Sequence, residues 1–477
     1  MDQIDMTTLD GGTTSVGGDA LEALADALDG DLVTPDSPDF DESRELWNAM
    51  IDRRPGAIVE CATANDARRA VDFARAHDLL VTIRGCGHNI AGNASADGAL
   101  MISFSGMKAV NVDAATRRVR VEPGASLGDL DAATQAHGLA VPVGINSTTG
   151  IAGLTLGGGF GWLSRAYGMT VDSLVSVDLV TASGAMITAS AAENDDLFWG
   201  LRGGGGNFGV VTSFEFEAHP VGPQVMSGLL VHPAADARDV LLQYREIAAA
   251  APDELSIWVV LRQAPPLPFL PEDVHFEPVL VLAALYAGDM EEGERAFEAI
   301  RAVGNPIADA ISPHVYTEFQ AAFDGLLTPG ARNYWKSHDF LELSDGLIDV
   351  MVAQLELLPG FGYEIFLAQM GGATNRVPAD ATAYPHRDVE FIMNVHGRWE
   401  DADEDEAGVA WCRAAFDAAA PFATGGVYTN FMTAEETGRI RDAYGSSWDR
   451  LVALKNRYDP DNFFRMNQNI RPASTTG

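Results

Sequence analysis

Apolar positions along this chain follow two rhythms. Ala57-Ile58-Val59-Glu60 reads as a short strand, Thr63 caps a stretch to His77 in which Ala67, Ala70, Val71 and Ala74 recur at helical spacing, and Leu79-Leu80-Val81-Thr82-Ile83 is again a strand. That is a β-α-β unit. Strand-like segments at 117–121, 174–181 and 210–216 follow, divided by glycine-dense loops at 144–161 and 203–209, which predicts an α+β or α/β arrangement whose loops approach a ligand closely. Past Pro220 the glycines thin out. Strands at 255–261 and 279–286 then alternate with helical stretches at 293–303, 343–357 and 407–419, interrupted by a proline-rich segment at 264–271. A helix at 447–458 ends at the turn Asp459-Pro460-Asp461-Asn462, and no internal repeat is evident. Residues 1 to about 40, polar and acidic with one helical stretch at 20–28, are predicted to be a mobile tail or a loosely docked cap.

Composition narrows the choices. The 477 residues are 47% hydrophobic and 21% charged, enough to bury a large core in one to three domains. Asp and Glu total 68 against 31 Lys and Arg, a formal charge of −37, so neither nucleic acid nor an anionic membrane is an expected partner. Only Lys108, Lys336 and Lys455 are lysines, and the acids run the whole length of the chain, a balance typical of a salt-accumulating cytoplasm. Three cysteines (Cys61, Cys86, Cys412) without C-x-x-C spacing read as reduced thiols rather than a disulfide framework or a zinc site. The N-terminus has no basic or apolar signal region, and the longest apolar run, 279–287, is well short of the ~20 residues of a membrane span. A cytoplasmic location is expected.

Three glycine-rich segments carry the candidate chemistry. In Arg84-Gly85-Cys86-Gly87-His88-Asn89-Ile90-Ala91-Gly92 a histidine follows a buried strand, and flanking glycines let the backbone fold tightly around a flat or phosphorylated ligand. A metal is not expected, since no second ligand besides Cys86 lies at coordinating spacing. In the run from Gly150 to Gly161, which includes Gly153, Gly157, Gly158 and Gly159, missing side chains expose backbone N–H groups that can cradle a pyrophosphate, and no Gly-Lys-Ser/Thr follows to make a Walker loop. Gly204 to Gly209 formally satisfies G-x-G-x-x-G, but a helix-like segment precedes it and a strand follows, the reverse of a Rossmann site.

Together with Asp196-Leu197-Phe198-Trp199 and the terminal Tyr458-Asp459-Pro460-Asp461-Asn462-Phe463-Phe464-Arg465-Met466-Asn467-Gln468-Asn469-Ile470, these motifs resemble the berberine-bridge-enzyme-like FAD-linked oxidoreductases of the vanillyl-alcohol-oxidase/PCMH-type superfamily, over about residues 45–475. The resemblance implies a flavin bonded covalently to His88. Many members add a second bond through a cysteine, but Asn146 stands at that position, so FAD attached through His88 only is expected. The family's oxygen-gatekeeping position falls on Thr149, neither the valine associated with oxidases nor the leucine of dehydrogenases, which leaves O₂ and another electron acceptor both open. Asp172, Gly209, Val211, Asn467 and Gln468 are further implied flavin contacts. For the base that takes a substrate proton, Tyr428 in Val427-Tyr428-Thr429-Asn430 matches a family Tyr-x-Asn segment, with Asn430 beside flavin or substrate, and Tyr334 is the second choice.

The resulting expectation is an α+β chain with a PCMH-type FAD-binding domain from 41–220 and 425–477, into which an antiparallel-sheet-plus-helices substrate domain, 221–424, is inserted, the face of its sheet covering the flavin ring. The expected reaction is oxidation of a hydroxyl, on a sugar or another alcohol, by hydride transfer to flavin N5. The alternatives are a flavin-dependent reductase and a non-catalytic flavoprotein-derived binding module. Oligomeric state is left open.

Overall fold

The first six strands show where sequence pattern and acid content pull apart. The computed structural model describes residues 2–473. Strands β1 (Ile4–Thr7) and β2 (Thr13–Val16) form a hairpin, while β3 (Asp31–Val33), β4 (Ala57–Glu60), β5 (Val81–Arg84) and β6 (Leu100–Ser103) form a sheet in the order β3-β4-β6-β5. Strands β4 and β5 both run parallel to β6, and the helix Ala64–Ala76 crosses between them with Thr63 and Asp66 as a reciprocal cap. Its predicted stripe, Ala67, Ala70, Val71 and Ala74, is buried. Of the two expectations for the N-terminus the mobile tail fails and the cap holds, docked firmly rather than loosely: Met6 and Val16 of the hairpin and Leu21 and Leu24 of the helix Gly18–Ala27 close over the same core. Four apolar residues spread among acids are invisible in composition but sufficient to pin one face.

The second layer is antiparallel. Strands β7 (Val110–Asp113), β8 (Arg118–Val121), β10 (Leu174–Val180), β11 (Met186–Ser190) and β12 (Val210–Glu217) are ordered β11-β10-β12-β8-β7, and the two-residue strands β9 (Leu139–Ala140) and β13 (His219–Pro220) pair alongside. The C-terminal helix Trp448–Tyr458 returns to this layer and buries Leu451 and Leu454 in its core. Lys455, fully buried, spends its three donors on Asp459 (2.6 Å), the Phe464 carbonyl (2.8 Å) and the Asn207 carbonyl (2.9 Å). The terminal segment is thereby clamped against the glycine-rich 203–209 loop.

The third layer comprises β14 (Gln224–Pro233), β15 (Leu255–Gln263), β16 (Pro278–Tyr286), β17 (Ala308–Asp309), β18 (Ser312–Val315), β19 (Arg332–Phe340), β20 (Tyr363–Gln369) and β21 (Phe391–Trp399). It is an antiparallel sheet ordered β17-β14-β16-β15-β20-β21-β19, with β18 also on β14. Period-two alternation gives it two buried faces. Ile257, Val259 and Leu261 on β15 and Ile365 and Leu367 on β20 share a core with the helices Ala237–Ala250, Asp345–Glu356 and Asp405–Ala419. Trp258, Val260, Arg262, Glu364 and Phe366 point the other way, into a cavity shared with the first two layers. Among the described residues no helix is long and apolar enough to cross a membrane.

Candidate active site

The cavity measures about 1020 Å³, at the top of the roughly 300–1,000 Å³ common for small-molecule sites. Its floor begins in the loop that follows β5. Gly85 and Gly87, the latter at φ +75°, bring backbone to the surface, and Gly85, Cys86, Gly87, His88 and Asn89 all line it. His88 Nε2 lies 2.9 Å from Thr148 Oγ1, and the imidazole stacks on Trp47 with centroids 5.0 Å apart and planes 20° from parallel. Burial lowers the His88 pKa to about 4, so the ring is neutral near pH 7. Burial also pushes the Cys86 thiol up to about 11.

The next stretch of floor is Thr149, Gly150, Gly153 and Gly157, with a short helix at Ile151–Leu156. A side chain on Gly157 would place its Cβ 2.2 Å from Asn430 Oδ1, which keeps that position glycine. Here Tyr428 arrives, 2% exposed, its phenol oxygen accepting the Gly159 backbone N–H at 2.9 Å and the Asn430 amide at 2.8 Å. Burial lifts its pKa to about 12 against the opposing pull of those two donors. Among the described residues the phenol proton itself has no hydrogen-bond acceptor. Gly205, Gly206, Gly209 and Val211 continue the wall, and Asn467 and Gln468 finish it, Asn467 donating to the Gly206 carbonyl at 3.1 Å.

Several expected contacts lie elsewhere. Arg84 turns its guanidinium to the Ser43 carbonyl, Gly92 (φ +71°) makes a turn against Ile51, and Gly158 (φ +127°), Gly159 (φ +76°) and Gly161 hold the backbone just behind the wall. A Cβ on Gly161 would sit 2.0 Å from the Val143 carbonyl oxygen. Asp172 is committed to a bidentate pair with Arg387, both contacts 2.7 Å. Tyr334 is not brought to the cavity: on β19 it faces the helix side, its hydroxyl bonded to Glu435 and accepting from Arg413 at 3.0 Å, and its strand neighbour Trp335 faces the cavity instead. The base assignment to Tyr334 is therefore corrected by strand parity.

The sheet face expected over the flavin supplies the roof, but which of its aromatics face the cavity is not given by the sequence. Trp258 and Phe366 stack with centroids 5.8 Å apart and planes 13° from parallel, and Phe431 packs edge-on to Phe366, Trp335 and Tyr428. A polar corner interrupts this box: Arg262 pairs with Glu364 at 2.8 Å, and His396 bonds Asn333 at 3.0 Å. Burial would raise the Glu364 carboxyl, but Arg262 and His396 outweigh it and hold it at about 2.

The residues present fit a long, flat, polar cofactor. Gly153 and Gly206 have open space where a side chain would stand, and Asn394, Trp335 and Asn467 line the cavity with buried polar atoms that have no protein partner. Residues 55–190 match the family described as FAD binding domain, and residues 427–471 match the family described as Berberine and berberine like. An FAD-linked oxidoreductase of Dictyostelium discoideum is 31% identical over 458 residues, 95% of this chain and 97% of that protein. The chain belongs to the berberine-bridge-like FAD-linked oxidoreductases. Within the family it is 29% identical to the (R)-6-hydroxynicotine oxidase of Paenarthrobacter nicotinovorans over 94% of this chain and 97% of that protein. The crystal structure of 6-hydroxy-D-nicotine oxidase from Arthrobacter nicotinovorans superposes with a TM-score of 0.85 at 25% identity, covering 94% of this chain and 99% of that one. The fold is accordingly the α+β, PCMH-type fold of FAD-binding oxidoreductases, and FAD is its cofactor.

Proposed function

We propose that this FAD-linked oxidoreductase oxidises the hydroxyl of a ring-bearing small molecule, with FAD tethered through His88 alone and Tyr428 receiving the hydroxyl proton. One observation carries the reading: the Tyr428 oxygen is held by two N–H donors while its own proton is unclaimed, where the glycine floor meets the aromatic roof. Bound FAD supplies a two-electron acceptor at N5 and hands the electrons to O₂ or another carrier. Burial keeps the Tyr428 phenol protonated near pH 7; loss of that proton to solvent as substrate binds, with the Gly159 N–H and the Asn430 amide stabilising the phenolate, would let Tyr428 take a proton from a substrate hydroxyl within hydrogen-bond reach. Trp258, Phe366 and Phe431 favour a flat substrate body. A neutral His88 has the lone pair an attachment bond requires. The name of the (R)-6-hydroxynicotine oxidase relative supports the oxidase direction.

Residues 41–220 and 425–477 are assigned to the flavin and 221–424 to the substrate. The composition, with three lysines and a formal charge of −37, supports work in a salt-rich cytoplasm, and the thermal midpoint should rise with KCl into the molar range. The deciding experiment is a screen of ring-bearing alcohols for anaerobic bleaching of the flavin absorption band. Bleaching by an alcohol and not by NAD(P)H is expected. Bleaching by NAD(P)H alone would make the protein a reductase, and purified protein without flavin would make it a binding module.

A further inference from the structure

We propose that Asn146 and Thr148 are positioning residues for His88, fixing which ring nitrogen carries the proton and which is free to bond; this rests on the attachment of FAD through His88. The Thr148 backbone N–H donates to Asn146 Oδ1 at 3.0 Å, which identifies that side-chain atom as the oxygen. Thr148 Oγ1 lies 2.7 Å from the same oxygen and has one proton, so it donates there. The His88 Nε2 atom, 2.9 Å from Thr148 Oγ1 on the other side, must then be the donor. The reverse arrangement would press two lone-pair-bearing oxygens together at 2.7 Å with no hydrogen between them. His88 is held as the Nε2–H tautomer, and its Nδ1, which has no hydrogen-bond partner among the described residues, keeps the lone pair.

Trp47 fixes the plane of the ring by stacking, and both restraints share one anchor. The Trp47 indole N–H donates to the Leu327 carbonyl at 2.9 Å, while Ser147, between the two positioning residues, donates its backbone N–H to Asp324 at 2.9 Å and its hydroxyl to the same carboxylate. The turn at 324–327 thus orients His88 from across the cavity. Attachment itself forms a bond from Nδ1 to the flavin 8α-methyl carbon and breaks one C–H bond. The methyl proton and the imidazole Nε2 proton would leave to solvent, and the two electrons would pass to the isoalloxazine, to be removed by O₂, as peroxide, or by the acceptor that takes its place.

The test is the fraction of flavin that stays with acid-precipitated full-length holoprotein, compared with total bound flavin and thermal midpoint. Thr148→Val should lower the covalent fraction at least tenfold at unchanged total flavin, and Thr148→Ser, which keeps the hydroxyl, should restore it. If Thr148→Val does not fold, Asn146→Leu against Asn146→Asp, which keeps an acceptor, decides in the same way. Wild-type covalent fraction in Thr148→Val, or in Asn146→Leu, would overturn the proposal. No covalent flavin in the wild type would overturn the His88 attachment on which it rests, a separate result.

Discussion

The two walls of the cavity are built by opposite means. The floor is made of absent side chains, glycines at 85, 87, 150, 153, 157, 205, 206 and 209 that let main chain reach the ligand, whereas the roof is made of large ones, Trp258, Trp335, Phe366 and Phe431. A floor of main chain recognises a cofactor common to a whole family. A roof of side chains can be exchanged residue by residue without disturbing the backbone, which is why the proposed function assigns substrate choice to it.

The largest effect should come from filling the floor. Gly153 has no neighbour where its Cβ would stand, so Gly153→Phe should fold but lose bound FAD and all activity, read as the flavin-to-protein absorbance ratio beside the thermal midpoint. Retention of FAD in that variant would detach the floor from cofactor binding. Next comes the junction of the walls. Tyr428→Phe keeps the ring packing and removes the proton acceptor, so anaerobic flavin reduction should slow about 10²–10⁴-fold at unchanged flavin content.

The roof should respond differently. Phe366→Ala is expected to raise KM about tenfold, about 1.4 kcal/mol, with flavin content intact. Loss of flavin there would erase the distinction between the walls.

That contrast also explains what could be read from sequence. The floor was legible because its residues are contiguous in the chain and glycine is conspicuous, so His88, Gly157 and Gly206 announce themselves as segments. The roof was not, because both faces of its sheet are buried, one under helices and one over the cavity. Apolar residues therefore occur at odd and even positions alike, and alternation gives no sign of which side faces the ligand. Tyr334 and Trp335 show the consequence: one position apart, equally aromatic, and on opposite faces. The N-terminal hairpin stayed hidden for another reason, its Met6 and Val16 being diluted by acids. Trp47, which stacks on His88, is a single residue far from it in sequence and in no motif, and Thr148, though inside the 144–161 loop, has no feature that marks it as a partner of His88.

The smallest effect concerns the seam between the walls. Asp131, in the helix Leu127–Gln135, is fully buried and accepts a 3.0 Å bond from Gln320 of the sheet unit, and burial raises its pKa to about 7. In the unfolded chain its pKa is about 3.9, so the folded state binds the extra proton between these values. Its stabilising contribution is complete below about pH 4 and is lost as pH rises through 7. Asp131→Asn should flatten the fall of thermal midpoint across that window, and an unchanged slope would show that the seam does not titrate.

The most direct test of the whole account is mass spectrometry of the proteolytic peptide containing His88 from freshly purified yellow protein. The account predicts the mass of one FAD added to that peptide in the wild type and absent from His88→Ala, which should still bind extractable flavin. An unmodified His88 peptide from flavin-loaded wild-type protein would contradict it.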